Sequence, residues 1–239
     1  MPTFASSTLA LTIALDSYLH AICATNPNPT PTKQQRSKTD RIAIFVGTFA
    51  VLARRGITTI ALYHAILVFY FPSLISPENT PAKPKLCPRP WNLAEDLFTW
   101  STITTLSLLC SFLGAFIRLS AFGGLGKYFT FQLAAPDRLV TTGIYRFMQH
   151  PSYTGQILVT CPLLALILRS DAAAACFLDE KLFQILLELR WVALPVAVVV
   201  VGVVLTIRVR DEEAMLKEKF GDEWVEWNRR TKRFIPFVF

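Results

Sequence analysis

The stretch WVALPVAVVVVGVVLTI, residues 191–207, decides the fold class because its 17 successive residues carry no charge. A helix needs about 20 mainly apolar residues to cross the hydrocarbon core of a bilayer, so this run is close to a complete span. The remainder of the chain agrees with it: 52% of the 239 residues are hydrophobic and 17% are charged, whereas soluble domains carry about 25% charged residues. The sequence therefore predicts an integral membrane protein and excludes an ordinary soluble enzyme.

Four further apolar stretches resemble this one in length and composition. Together the five predict an all-α, polytopic transmembrane helical bundle of about five spans. The fourth and fifth hold only about 16 or 17 uncharged residues, so tilt or burial among neighbouring helices has to help them cross. A shorter run at 42–55 ends in Arg54-Arg55 and is expected to lie along the cytosolic interface. The predicted spans are 3–24, 57–75, 97–117, 154–169 and 191–207.

The distribution of Lys and Arg predicts the orientation, because these residues accumulate in short loops on the cytosolic side. With a lumenal N-terminus, the cytosolic segments 25–56, 118–153 and 208–239 hold 18 of the 24 Lys and Arg residues. The lumenal segments 76–96 and 169–190 hold the other 6. This threefold asymmetry predicts that the C-terminus is cytosolic. The expected helical cap formed by the C-terminal segment would therefore lie in the cytosol.

An alternative interpretation of the first span is a cleaved signal peptide, since the segment 21–24 offers small residues at a possible cleavage site. The segment before it has no basic n-region. Cleavage would also place 118–153 in the lumen and remove the charge asymmetry. An uncleaved first span is therefore the favoured prediction.

The composition also bears on partners and metals. The formal net charge of +7 does not indicate nucleic-acid binding, because the basic residues flank apolar stretches instead of forming one stripe. Pro-rich polar stretches at 26–41 and 76–90 are expected to be connectors that carry no chemistry. The last four residues, 236–239, contain no Cys and so no prenylation motif. Five cysteines without a CxxC pair or a nearby His are expected to be small buried hydrophobic residues, neither disulfides nor metal ligands: Cys23, Cys87, Cys110, Cys161 and Cys176.

A polar segment at the mouth of the fourth span is the first candidate for chemistry. It reads DRLVTTGIYRFMQHPSYTG over residues 137–155. Pro151 suits the first turn of a helix, whose free backbone amides favour an anionic group. Tyr145, His150 and Tyr153 taken singly are typical of interfacial or capping residues, but three such rings within nine residues could enclose a flat ligand such as adenine.

The second candidate segment, RVRDEEAMLKEKFG over residues 208–221, directly follows the fifth span. Its pattern predicts a helix that stops at Gly221. Arg208 and Glu212 are four residues apart and share one helix face, whereas Glu213 is turned about 100° away. A solvated charged helix with one local salt bridge remains the alternative interpretation of this segment.

Three pieces of sequence in this order resemble the isoprenylcysteine carboxyl methyltransferase family: LVTTGIYRFMQHPSYTG, RVRDEEAMLKEKFGDEW and RTKRFIPFVF. The similarity covers about residues 120–239. It implies a methyltransferase core over 97–239 and a variable N-terminal transmembrane part over 1–96. Members of this family are multispan endoplasmic-reticulum proteins that methylate the C-terminal carboxylate of a prenylated cysteine with S-adenosylmethionine. The implied partners are a prenylated protein or peptide and the lipid bilayer, with no metal and no nucleic acid.

The resemblance also implies roles for individual residues. Arg208 would bind the substrate, and Arg208 and Glu212 together would form the catalytic pair. The chain departs from the family's pattern at Gln149, where a basic residue is usual, and at Asp137, where a His is common. Gln132 is aligned with the family's upstream cofactor glutamine only if the intervening loop is shorter here. The implied cofactor-binding residues are Gln132, Asp137, Arg138, Leu139, Val140, Tyr145, His150, Pro151, Ser152, Tyr153 and Glu212.

These residue types suit methylation of a carboxylate. A carboxylic acid with an ordinary pKa of about 4 is already ionised at neutral pH, so no general base is required. The planar fork of Arg208 can orient one carboxylate oxygen and leave the other free to attack. Glu212 suits a cofactor that carries ammonium and sulfonium charges. A phospholipid or small-lipid methyltransferase and a catalytically silent membrane scaffold of the same fold remain alternatives.

Overall fold

The computed structural model describes residues 1–32, 34, 36, 40–41, 48–75 and 86–235. These residues form helices joined by turns, with two isolated β-bridges and no named strand in the described ranges. The chain is therefore an all-α helical membrane bundle, as predicted. The helices are α1 (Phe4–Cys23), α2 (Thr48–Ile75), α3 (Glu95–Phe98), α4 (Thr102–Leu125), α5 (Pro151–Ile167), α6 (Glu180–Phe220) and α7 (Asp222–Arg230).

Three stretches of helix are long and apolar enough to cross a membrane: Thr48–Ile75, Thr102–Tyr128 and Glu180–Phe220. The helix α5 is apolar but has only 17 residues, and α1 has 20 residues that include the buried Asp16 and His20. A helix thus covers each of the five predicted spans, and the number of crossings stays a prediction.

Two predicted span boundaries differ from the observed helices. The helix α2 runs without a break from Thr48, so residues 48–55 belong to it and form no separate element, while 42–47 lie outside the described residues. The third span begins at Thr102 because Ser101 and Thr104 cap it reciprocally. The Thr104 amide donates to Ser101 Oγ at 3.2 Å and the Ser101 amide donates to Thr104 Oγ1 at 2.9 Å.

The described chain divides into two compact units whose segments interleave along the sequence. Unit 1 consists of residues 1–21, 54–112 and 159–197, and unit 2 consists of 22–53, 113–158 and 198–239. All predicted site residues fall in unit 2. The predicted division between residues 96 and 97, which concerns sequence variability, stays a prediction.

A disulfide in unit 1 shows that the prediction for Cys87 and Cys176 was wrong. The two residues are 89 positions apart, which left no signal in the sequence, but their Cα atoms lie 4.8 Å apart and their sulfurs are bonded. Backbone pairing brings the two loops together, because the Arg89 amide donates to the Cys176 carbonyl at 3.2 Å. Asn92 adds side-chain hydrogen bonds to the same loop, with Nδ2 donating to the Ala175 carbonyl at 3.1 Å.

The other three cysteines are free thiols. Cys23 is buried, as predicted, whereas Cys110 and Cys161 are exposed. The prediction of burial was wrong for these two because they lie on outward faces of apolar helices. An apolar environment for such residues comes from the lipid and not from the protein core.

In unit 2, an apolar cluster positions the polar segments. It consists of Ala121, Tyr145, Trp224 and Trp227. The indole nitrogen of Trp227 donates to the carbonyl of Tyr145 at 3.1 Å, which fixes α7 to the turn at Gly143–Arg146. The stop predicted at Gly221 is confirmed, since α6 ends at Phe220 and Gly221 has a φ of 51°.

Candidate active site

Residues 148–150 are held by the strip that follows α7. The Gln149 amide donates to the Lys232 carbonyl at 2.7 Å and the His150 amide donates to the Arg233 carbonyl at 2.9 Å. The buried side chain of Gln149 adds a bond from Nε2 to the Thr231 carbonyl at 3.0 Å. Gln149, the departure from the family's pattern, thus fixes the backbone that carries His150.

The imidazole of His150 lies between two consecutive glutamates of α6. Its Nε2 is 3.3 Å from Glu213 Oε1, and its Nδ1 is 3.9 Å from Glu212 Oε1. Arg233 holds Glu213 with two further hydrogen bonds of 2.8 and 2.9 Å. The structure therefore brings together the two candidate segments, which are more than fifty residues apart in sequence. It also shows that Glu213, which the helical spacing turned away from Glu212, is a neighbour of the same histidine.

Tyr153 joins the predicted pair on α6. Its hydroxyl donates to Glu212 Oε2 at 2.6 Å and accepts a hydrogen bond from Arg208 Nε at 3.1 Å. Arg208 and Glu212 share one helix face, as predicted. The alternative interpretation expected a direct salt bridge between them. The hydroxyl of Tyr153, in the first turn of α5, instead lies between the two side chains and hydrogen-bonds to both.

The guanidinium of Arg208 has two more partners. Its Nη1 donates to Asp40 Oδ1 at 2.7 Å, and its Nη2 donates to the carbonyl of Phe131. The other oxygen of Asp40 accepts a hydrogen bond from the Leu133 amide at 2.9 Å. The stretch 26–41 was predicted to be a connector without chemistry, and Asp40 shows that this connector contacts the predicted substrate-binding arginine. The low apolar content of that stretch had hidden it, because the contact is entirely polar.

A second cation, Arg118 of α4, was missed by sequence reasoning. It is buried, and its guanidinium carbon lies 4.9 Å from the ring centre of Phe122 and 5.3 Å from those of Phe129 and Phe131. Its Nη1 donates to the Ser152 carbonyl at 2.8 Å and also to Ser152 Oγ. The available signal was a lone Arg near the end of an apolar span, where an ionised side chain is costly.

Tyr145 lies in the apolar cluster of unit 2. The imidazole of His150 contacts the ring of Tyr153 in α5, with 5.7 Å between the ring centroids. The ring of Tyr145 packs so closely on Gly124 that a Cβ at Gly124 would lie 3.1 Å from a carbon of that ring. Burial, and secondarily the charge of Glu212, raise the pKa of the Tyr145 phenol, which therefore stays protonated. The structure thus brings together two of the three rings, His150 and Tyr153, and the predicted enclosure of a flat ligand stays a prediction.

The remaining predicted cofactor residues occupy different surroundings. Asp137 and Arg138 are exposed, Leu139 and Val140 pack against the apolar cluster of unit 2, and Pro151 begins α5 as predicted. None of these positions tests a role in cofactor binding, so that role stays a prediction for each of these residues.

Two buried polar atoms suit a polar ligand at this site. Gln132 Oε1 and His150 Nδ1 lack a hydrogen-bond partner within the part of the chain that the structure describes. Buried polar atoms are normally satisfied, so a pair of spare ones among the predicted cofactor residues fits a bound group with donors of its own. No group of three or more potential metal ligands occurs among the described residues.

Comparison with known proteins gives a family match over the middle of the chain. Residues 103–187 match the profile of the Isoprenylcysteine carboxyl methyltransferase (ICMT) family. The resemblance predicted from the sequence is confirmed. The match includes Gln132 and the 137–155 segment, and it ends before Arg208.

Two relatives extend the similarity along the chain. One, named Protein-S-isoprenylcysteine O-methyltransferase, from Schizosaccharomyces pombe, is 28% identical over 183 residues, which cover 74% of this chain and 68% of the relative. The other, named Protein-S-isoprenylcysteine O-methyltransferase B, from Arabidopsis thaliana, is 27% identical over 140 residues, which cover 57% of this chain and 60% of the relative.

Proposed function

We propose that this protein is a membrane O-methyltransferase that esterifies the C-terminal carboxylate of a prenylated cysteine, with S-adenosylmethionine as the methyl donor. One observation carries the proposal. Tyr153 and His150 of one family motif meet Arg208 and Glu212 of another through hydrogen bonds and ion-pair distances. The third motif holds His150 in place through the Arg233 carbonyl.

The cofactor residues of this proposal are those that the family resemblance implied, from Gln132 to Tyr153 and Glu212. S-adenosylmethionine would supply a methyl group on a positively charged sulfur. Glu212 suits that charge because its Oε2 already accepts a bond from Tyr153 while its Oε1 lies 3.9 Å from the imidazole of His150. Gln132 Oε1 and His150 Nδ1, which have no hydrogen-bond partner among the described residues, are available for the polar groups of the nucleoside.

Arg208 would bind the substrate carboxylate. Its Nε is fixed by Tyr153 and its Nη2 by the Phe131 carbonyl, so Nη1 points in a set direction. A guanidinium held at two of its three nitrogens grips one oxygen of a carboxylate without adjusting to it, which leaves the second oxygen free to react. Burial of Arg208 keeps water away from that oxygen.

The membrane setting suits a prenylated substrate, because a hydrocarbon chain gains about 0.8 kcal/mol for each CH₂ that enters the bilayer. We place the C-terminus in the cytosol and the protein in the endoplasmic reticulum. The disulfide supports this orientation, since Cys87 and Cys176 both fall in the predicted lumenal segments. Disulfides persist in that oxidising compartment and are rare in the cytosol.

The test incubates membranes containing the protein with methyl-labelled S-adenosylmethionine and N-acetyl-S-farnesylcysteine. A methyl ester releases methanol in alkali, so volatile label is the expected product. Label that resists alkali would instead indicate N-methylation of a lipid amine. No transfer, together with no heat of S-adenosylmethionine binding, would identify a silent scaffold. The Glu226→Gln variant, which removes an exposed ion pair with Arg230, serves as the active control.

A further inference from the structure

The carboxylate of Asp40 occupies a site in unit 2 that has the properties of a carboxylate-binding site. It is buried, with a side-chain exposure of 4%. Its Oδ1 accepts a bond from Arg208 Nη1 at 2.7 Å, and its Oδ2 accepts a bond from the Leu133 amide at 2.9 Å. A guanidinium and a backbone amide, one for each oxygen, form the kind of donor pair that binds an ionised carboxylate.

The position of Asp40 is secured by its neighbour in sequence. Arg41 donates to Asp211 through Nη2 at 2.5 Å and through Nε at 3.1 Å. Two oppositely directed ion pairs, Asp40 with Arg208 and Arg41 with Asp211, therefore attach residues 40–41 to one turn of α6. Arg41 is exposed, with a side-chain exposure of 64%, so solvent screens its pair with Asp211.

We propose that Asp40 is an internal stand-in for the substrate carboxylate, and that the substrate binds by displacing it from Arg208 and the Leu133 amide. This inference rests on the proposed function and deepens it. It adds the backbone amide of Leu133 as a donor to the second carboxylate oxygen, which keeps its other lone pair for the attack on the methyl group. It also makes Asp40 a competitor that sets the concentration of prenylated acid at which the enzyme responds.

Competition by a tethered group has a defined effect on affinity. Only the fraction of molecules in which Asp40 has left Arg208 can accept the substrate, and the apparent dissociation constant is the intrinsic one divided by that fraction. Neutralising Asp40 raises the fraction. Because a hydrogen bond to a charged group is typically worth enough to change an equilibrium about tenfold, a similar fall in KM is expected, with kcat unchanged.

The experiment compares Asp40→Asn with wild type for methylation of N-acetyl-S-farnesylcysteine. The expected result is a KM about tenfold lower at unchanged kcat. If Asp40 only holds Arg208 in position, the variant has an equal or higher KM or a lower kcat, and either result overturns the proposal. Glu226→Gln removes an exposed ion pair of the same unit and serves as the matched control, with KM unchanged.

A second measurement does not depend on turnover or on the folded fraction of the variant. Binding of N-acetyl-S-farnesylcysteine and of its methyl ester is measured on both proteins, and the ratio of the two affinities is compared. The ester lacks the charge that competes with Asp40, so Asp40→Asn is expected to raise the acid-to-ester ratio about tenfold. An unchanged or lower ratio overturns the proposal.

The two levels of inference fail in different ways. Absence of alkali-labile product from wild type contradicts the proposed function, while the binding ratio still decides whether Asp40 excludes a carboxylate. Product from wild type combined with an unchanged ratio contradicts the role of Asp40 alone. Asp40→Ala, which removes both acceptor oxygens, is expected to reproduce the ratio of Asp40→Asn.

Discussion

At the scale of single residues, Arg208 has the most demanding set of contacts in unit 2. Each of its three nitrogens serves a different oxygen, on Tyr153, Asp40 and Phe131. A lysine keeps the charge but has one nitrogen on a flexible stem, so it cannot hold three partners in a fixed plane. The Arg208→Lys variant is therefore expected to lower kcat/KM by about a hundredfold. Methyl transfer to N-acetyl-S-farnesylcysteine is the measurement.

The control for that change is Arg230→Lys, which alters an exposed ion pair with Glu226. It is expected to keep full activity, because an exposed pair contributes little. Full activity of Arg208→Lys itself would show that the planar fork has no part in binding the carboxylate.

Tyr153 is the link between Arg208 and Glu212. Its hydroxyl accepts a hydrogen bond from Arg208 at 3.1 Å and donates one to Glu212 at 2.6 Å. Removal of the hydroxyl in Tyr153→Phe leaves the ring packed and both charged groups without their shared partner. We expect kcat/KM to fall about tenfold to a hundredfold, a loss typical of one hydrogen bond to a charged group. Tyr18→Phe, at an exposed tyrosine of unit 1, provides the comparison.

Not every residue of the site could be predicted from the sequence, and the reason differs from case to case. Helical spacing placed Arg208 and Glu212 on one face, and the family resemblance implied that His150 belongs to the same site. The same spacing predicted that Glu213 points away from Glu212. A helical wheel shows only the directions of side chains around one helix, so it did not show that His150 contacts Glu213 from another segment. Asp40 had no signal in the sequence, because its partners Leu133 and Arg208 lie 93 and 168 positions away.

At the scale of elements, the close approach of α4 and α5 depends on one glycine. A Cβ at Gly155 would lie 2.6 Å from the backbone nitrogen of Arg118 and 2.8 Å from the carbonyl oxygen of Gly114. Both atoms belong to the α4 backbone and cannot move without displacing Arg118. The Gly155→Ala variant is therefore expected to lose about 1–3 kcal/mol of stability. Its thermal unfolding in detergent is the measurement.

The matched control for this prediction is Gly202→Ala in α6, where the structure gives a Cβ no neighbour within 4 Å. That variant is expected to unfold at the wild-type temperature or slightly above it, since alanine favours a helix. Equal unfolding temperatures for the two variants would mean that α4 and α5 can separate without cost.

The disulfide is the second element-scale feature with a measurable consequence. It joins the loop before α3 to the loop after α5 and closes a ring of 89 residues in sequence. A cross-link over such a length stabilises by about 4.6 kcal/mol in the chain-entropy description. Cys87→Ser is therefore expected to lower the unfolding temperature, and Cys176→Ser to lower it equally. Cys110→Ser, which removes an exposed free thiol, is expected to have no effect.

At the scale of the whole molecule, two features support the proposed orientation. The Lys and Arg count predicts that 76–96 and 169–190 are lumenal, and the disulfide joins one residue from each of these segments. We expect protease added to sealed microsomes to remove an epitope at the C-terminus and to leave the Cys87–Cys176 bond intact. An epitope that is protected until detergent is added would reverse the orientation.

The helical class of the whole chain was predictable because long apolar runs indicate membrane spans, and a span of about 20 residues satisfies its backbone hydrogen bonds within the bilayer by forming a helix. The helix ends were less accessible. The helix α2 begins at Thr48 and continues through Arg54 and Arg55. In the sequence, this pair predicted the start of the span, because charged residues usually flank a membrane span. The interleaving of the two units depends on contacts between distant segments and has no local pattern.

The backbone pairing of Gln149 and His150 with Lys232 and Arg233 has a consequence for genetics. A premature stop codon directly after Arg230 would leave every predicted span, the disulfide, Arg208 and Glu212 in the product. Such a product should still be inserted and retained in its membrane. It would lack the two carbonyl groups that hold the backbone of Gln149 and His150, and the truncation would therefore behave in a cell as a complete loss of the enzyme.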